Sequence, residues 1–106
     1  MARALITMPK TAKRGEIIEI RTLIAHPMET GYRTGDDGTP LQRNLIRQLI
    51  CHYGDDVVFS AELYPAIAAN PFIAFFTVAV ASGALRFDWV GDNGFSQTEI
   101  VSLTVT

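Results

Sequence analysis

The residues of this chain that could do chemistry gather in two places. His26, Met28, Glu29, Tyr32 and Arg33 crowd into eight residues of the stretch "AHPMETGYRTGDDGTP" (25–40), and Cys51 is followed directly by His52. Two histidines, a cysteine and a methionine are the ligand types of a copper electron-transfer centre, which needs them to converge on one point. Neighbours on a strand point to opposite faces, so Cys51 and His52 could share a centre only across a bulge. An independent copper-binding or redox β-sandwich using His26, Met28 or Cys51 is therefore the alternative reading. A structural zinc site needs about four ligands at suitable spacing, and the chain offers none. Cys51 has Leu49, Ile50 and Tyr53 as neighbours and reads as a buried, inert thiol. There is no Gly-x-Ser-x-Gly elbow and no phosphate-binding glycine loop. Asp36-Asp37 lacks the further oxygens of a calcium loop and reads as a solvated turn. Neither a catalytic set nor a cofactor is expected.

The elements that must position these residues have a period of two. In "EIIEIRTLIAH" (16–26), Ile18, Ile20, Thr22 and Ile24 form one face, and Ile17, Glu19, Arg21 and Leu23 form a mixed one. "VVFSAEL" places Val57, Phe59, Ala61 and Leu63 against Val58, Ser60 and Glu62. "ALRFDWV" sends Leu85, Phe87 and Trp89 inward, and "EIVSLTVT" does the same with Val101, Leu103 and Val105. Residues 41–54 fit either a helix or a strand, and the immediate turn Gly54-Asp55-Asp56 into a strand favours the hairpin. "GDNG" (91–94) is a second hairpin loop, and Pro9, Pro40, Pro65 and Pro71 fall at edges or in loops.

With a first strand at Leu5–Met8, about seven strands fit into 106 residues. That spacing predicts an all-β fold, an immunoglobulin-like β-sandwich forming one domain over 1–106. The strand at Phe72–Ala81 is unusual in being apolar on both faces. Phe72, Ala74, Phe76, Val78 and Val80 share one, and Ile73, Phe75, Thr77, Ala79 and Ala81 the other. A covering loop or a docked partner chain would account for it equally.

Composition narrows the partners. The net charge is −2, and the one small basic cluster is Lys10–Arg14, which argues against nucleic acid. A hydrophobic content of 48% is high for so small a domain and fits apolar surface meant for another chain. No run approaches the ~20 apolar residues of a membrane helix. The N-terminal residues lack an apolar stretch of signal length. The expectation is a soluble protein that stays in the cytoplasm or crosses a membrane without a signal of its own.

Three segments, in order, carry a resemblance. They are "GEIIEIRTLIAHPMETGYR" (15–33), "PLQRNLIRQLICHYGDDVVFSAELYPAIAANPFIAF" (40–75) and "SGALRFDWVGDNG" (82–94). Together they resemble the SoxZ family, the Z subunit of the SoxYZ sulfur-carrier complex of bacterial thiosulfate oxidation, from end to end. The resemblance implies an immunoglobulin-like, non-catalytic subunit. It also implies a heteromeric partner, the Y-type carrier, whose flexible Gly-Gly-Cys-Gly-Gly tail holds the sulfur intermediate covalently for the enzymes of the Sox pathway. Export as a folded pair, and hence a periplasmic location, follows from the same likeness.

In that light His26, Met28, Glu29, Tyr32, Arg33, Asn70, Phe72, Ile73 and Phe75 are the candidate partner-binding residues. The loop His26–Arg33 either shapes the carrier interface or receives the pathway enzymes in transient docking, with Met28 and Tyr32 as apolar anchors. The plainer reading stays open beside it: Glu29 and Arg33 bridge within the loop, and His26 satisfies a backbone carbonyl.

Overall fold

The computed structural model describes residues 3–64, 67 and 69–106; Pro65 lies outside them. Eight strands are formed among these residues: β1 (Ala4–Thr7), β2 (Thr11–Ala12), β3 (Ile17–Ile24), β4 (Ile46–Tyr53), β5 (Asp56–Glu62), β6 (Phe72–Val78), β7 (Gly83–Gly91) and β8 (Ser96–Val105). They make two sheets, one ordered β1-β3-β6 and the other β2-β8-β7-β4-β5. The architecture is the expected immunoglobulin-like sandwich, with the hairpin reading of residues 41–54 realised as β4 and β5. The eighth strand is β2, two residues paired parallel to β8 and too short to show periodicity.

The core lies between the sheets and is built by alternation. Ile18, Ile20, Thr22 and Ile24 of β3 face Leu49, Cys51, Leu85, Phe87, Trp89 and Leu103 of the larger sheet, all essentially without solvent. Phe59 and Phe75 stack across the gap with ring centroids 4.2 Å apart, which sets β6 over β5. The Tyr53 hydroxyl accepts from the Val80 and Ala81 amides and donates to the Ala81 carbonyl, anchoring the chain beyond β6.

Two bulges change faces that strict alternation predicts. Against β7 the register of β4 shifts between Ile46 and Gln48, so Ile46 turns into the core and Arg47 out to solvent. Against β4 the register of β5 shifts at Cys51/His52, and Val57, expected inward with Phe59, is exposed. Gly91 sits beside the first bulge. A Cβ there would meet the Leu45 carbonyl oxygen and lie 3.0 Å from Ile46 Cα, so only glycine lets the strands approach so closely. The following turn places Asn93 and Gly94 at positive φ, the pair of conformations a tight two-residue hairpin requires, closed by the Phe95 amide donating to the Asp92 carbonyl.

Candidate functional site

The loop after β3 is pinned at both ends. The His26 amide donates to Asn70 Oδ1 (2.9 Å), and the Asn70 amide donates to the His26 carbonyl (2.7 Å). Asn70 holds a left-handed φ of 54°, a conformation asparagine tolerates. At the other end Glu29 and Asn44 exchange two backbone hydrogen bonds of 2.7 Å.

Within the loop the candidate residues divide into an inner and an outer set. His26 is buried, its ring edge-on to Phe95 with centroids 5.0 Å apart. Its Nδ1 accepts from the Met28 amide (3.0 Å), so the neutral ring carries its proton on Nε2, which is buried and unpaired among the described residues. Burial lowers the His26 pKa, while the nearby Asn44 side chain and the Asp92 charge pull the other way without reversing it. Met28 is also buried, at φ 49°, and its Sδ accepts from the Ile46 amide (3.3 Å). The carboxylate of Glu29, barely exposed, accepts from Arg33 Nε at 2.9 and 3.2 Å. Tyr32 alone stands out, 87% exposed, beside the solvated Arg33. His26, Met28 and Glu29 thus build the loop from within, and Tyr32 and Arg33 present it.

The second candidate segment divides in the same manner. Phe72 faces outward, 60% exposed, whereas Phe75 is buried against Phe59 and Ile73 is half-buried over the core. A partner chain can therefore reach Phe72 but not the Phe75 ring. The outward set extends beyond the candidate residues read from the sequence. Register aligns Leu5, Leu23 and Phe72 in one cross-strand row of the smaller sheet, and Ile17 and Val78 in another, with Phe76 opposite Glu19. Ile17 is 68% and Phe76 65% exposed, and Val80 continues the row beyond β6. The polar interruption is Arg21 donating to Glu19 (3.0 Å), a solvent-exposed pair of little energetic weight. A shallow hollow of about 250 Å³, lined by Arg3, Leu5, Leu23, Ala25 and Asn70, joins this face to the base of the His26 loop. The signal for Ile17 and Leu23 was present in β3, whose second face is mixed rather than polar.

The ligand types do not meet. Cys51 points into the core and His52 to the surface, where it lies near Asp88 and Arg86. No group of three metal-ligating side chains forms among the described residues. Burial, and then the Asp88 charge, push the Cys51 thiol up to about 12, far from a reactive thiolate. Asp37 closes a small turn by accepting from the Thr39 amide and hydroxyl, as a solvated turn should.

Among the described residues this geometry offers an exposed apolar sheet face and a braced loop, with no metal-ligating cluster. The Sulphur oxidation protein SoxZ family matches residues 6–102. The chain belongs to the SoxZ family. No curated protein matches the chain. Among solved structures, the superoxide reductase (neelaredoxin) from Ignicoccus hospitalis superposes with a TM-score of 0.76 at 16% identity, covering 97% of this chain and 80% of that one. The sulfur carrier protein SoxY from Chlorobium limicola f thiosulfatophilum gives 0.69 at 12% identity, covering 97% and 78%. A putative superoxide reductase from Thermotoga maritima gives 0.72 at 16% identity, covering 97% and 85%. At these identities the likeness to each is one of fold. No helix among the described residues of this SoxZ chain is long and apolar enough to cross a membrane.

Proposed function

We propose that this SoxZ chain, acting as one domain over 1–106, is a non-catalytic scaffold that pairs with a Y-type sulfur-carrier subunit and presents it to sulfur-oxidising enzymes. The observation that carries the reading is the outer face of the β1-β3-β6 sheet. Leu5, Leu23 and Phe72 form one cross-strand row there and Ile17 and Val78 another, with Phe76 between them on β6, all open to solvent. Each 100 Å² of such surface removed from water favours association by about 2.5 kcal/mol before the costs of binding. An exposed apolar face of this kind, broken by one ion pair, suits a partner chain. The carrier is its occupant because the family is that of a Sox protein and a SoxY structure shares the fold. Tyr32 and Arg33, on a loop braced from within, form the surface for the transiently docking enzymes. Export with the carrier places the pair in the periplasm.

The test is native mass spectrometry of the chain alone and co-expressed with the Y-type carrier. A stable complex whose sulfur adduct maps to the carrier's tail supports the scaffold. A chain that remains alone beside the carrier overturns it.

A further inference from the structure

The smaller sheet ends at β6, and the backbone on its far side has no strand beside it among the described residues. Which groups are free follows from the ladder. The Ile24 amide donates to the Pro71 carbonyl (3.3 Å) and the Ala79 amide to the Glu16 carbonyl (2.8 Å), flanking an unshifted β3–β6 register. Hydrogen-bonded residues alternate along an antiparallel pair, so Ile73, Phe75 and Thr77 turn their backbone groups to β3. Phe72, Ala74, Phe76 and Val78 turn theirs away. The four residues by which β6 contributes to the outer face are thus also the four that present the free edge.

Among the described residues the other sheet edges are short, bulged or flanked by charge. β1 has four residues and β2 has two. β5 carries a bulge and has Asp56 and Glu62 at its ends. β6 runs seven residues, Phe-Ile-Ala-Phe-Phe-Thr-Val, without a charge, a proline or a register shift. An open strand of that kind is a template for another strand, and soluble proteins normally protect it.

We propose that β6 receives an extended strand of the carrier subunit along this edge, continuing the three-stranded sheet into the partner. The proposal rests on the carrier reading above and adds the mode of pairing. Footprint favours it. Three strands at about 4.8 Å spacing and seven residues at about 3.3 Å cover roughly 330 Å² in projection, a small base beside the ~800 Å² per partner of a standard interface. A strand added at β6 extends that face and supplies main-chain hydrogen bonds. A carrier with the sandwich fold of SoxY has edge strands to offer. The fitting strand is uncharged and apolar on both faces. One side continues the outward face on which Phe72 and Phe76 stand, and the other turns toward Phe59, which stacks on Phe75.

The test is amide hydrogen exchange together with calorimetric titration of the purified Y-type carrier. On binding, the amides of Phe72, Ala74, Phe76 and Val78 should become protected at least tenfold. Ala74→Pro removes the central free N–H and leaves the β3 ladder whole; it should weaken binding at least tenfold, while Ala74→Ser stays within twofold. Protection that spares these amides in the wild-type complex, or a folded Ala74→Pro variant that binds within twofold of wild type, overturns the edge pairing and leaves the scaffold reading standing. Should Ala74→Pro fail to fold, the wild-type exchange data decide. Wild-type protein that does not bind the carrier at all overturns the scaffold reading itself. Protection of the same four amides by concentrating this chain alone, undiminished by added carrier, assigns the edge to a second copy and overturns the carrier as its occupant.

Discussion

Asp92 and Leu45 are joined by two hydrogen bonds of opposite sense: the Asp92 amide donates to the Leu45 carbonyl (2.8 Å), and the Leu45 amide donates to Asp92 Oδ2 (3.2 Å). Arg43 adds Nε and Nη2 to the same carboxylate at 3.0 and 3.2 Å, and Arg47, turned out by the β4 bulge, lies 3.8 Å away. This knot closes the end of the sandwich where the loop returns into β4. Burial alone raises the Asp92 pKa. The Arg43 and Leu45 hydrogen bonds, with the charges of Arg43 and Arg47, outweigh it and leave the carboxyl below its ordinary value. The stability it confers is present above an unfolded value near 3.8 and is lost as pH falls through the lower folded one. Asp92→Asn should therefore cost about 1–3 kcal/mol at pH 7 and progressively less below pH ~4. Urea midpoints of both proteins across that range check it.

How much of this was legible in the sequence depends on the length of the pattern. β3, β7 and β8 could be read because their alternation runs unbroken, and Ile18, Ile20, Leu85, Phe87, Trp89 and Leu103 face inward as expected. Val57 and Arg47 could not be read, because each lies at or beside a bulge and one extra residue inverts the faces beyond it. The loop residues were identified as a cluster, but their inner and outer roles were not. Whether His26 accepts from an amide two residues on, or Met28 sulfur from Ile46, is set by tertiary packing and leaves no periodic trace. Asp92 was visible only as part of a hairpin loop, since its partners lie 47 and 49 residues away.

His26 should make the loop sensitive to mild acid. Its folded pKa is lowered by burial, so the folded state binds fewer protons than the unfolded one below about 6.5. Stability is therefore full above that value and falls as pH drops through the folded pKa. The physical event is the loss of Nδ1 as acceptor for the Met28 amide. His26→Asn, which offers an amide oxygen near the same position and does not titrate, should flatten the dependence. Unfolding midpoints between pH 7.5 and 5 distinguish the two, and equal slopes would refute the role given to His26.

Cys51 should be silent toward thiol reagents in the native protein. With a pKa of about 12 and no exposure, it lacks both thiolate and access. Labelling at pH 8 should appear only on unfolding. Cys51→Ala should leave carrier pairing and sulfur loading of the carrier within twofold of wild type, whereas Cys51→Ser costs more stability, because its buried hydroxyl has little beyond the His52 carbonyl to bond. Loss of sulfur loading in an assembled Cys51→Ala complex would contradict the inert reading.

Met28 and Tyr32 are four residues apart, and their substitutions should separate cleanly. Met28 fills the loop's interior and accepts from the Ile46 amide, so Met28→Ala should cost roughly 2–4 kcal/mol, in the range of buried large-to-small changes. Tyr32 is 87% exposed, so Tyr32→Ala should stay within about 0.5 kcal/mol of wild type in stability. Its effect should fall on recognition instead. Aromatic anchors carry a large share of docking energy, and truncating this one should weaken enzyme docking by roughly tenfold, corresponding to more than 1 kcal/mol, while affinity for the carrier is unchanged. Titrations of the assembled complex with the sulfur-oxidising enzymes measure the first quantity and titrations with the carrier the second. If Tyr32→Ala alters carrier affinity and leaves enzyme docking intact, the loop belongs to the carrier interface, and the outer face of the β1-β3-β6 sheet must share that role with it.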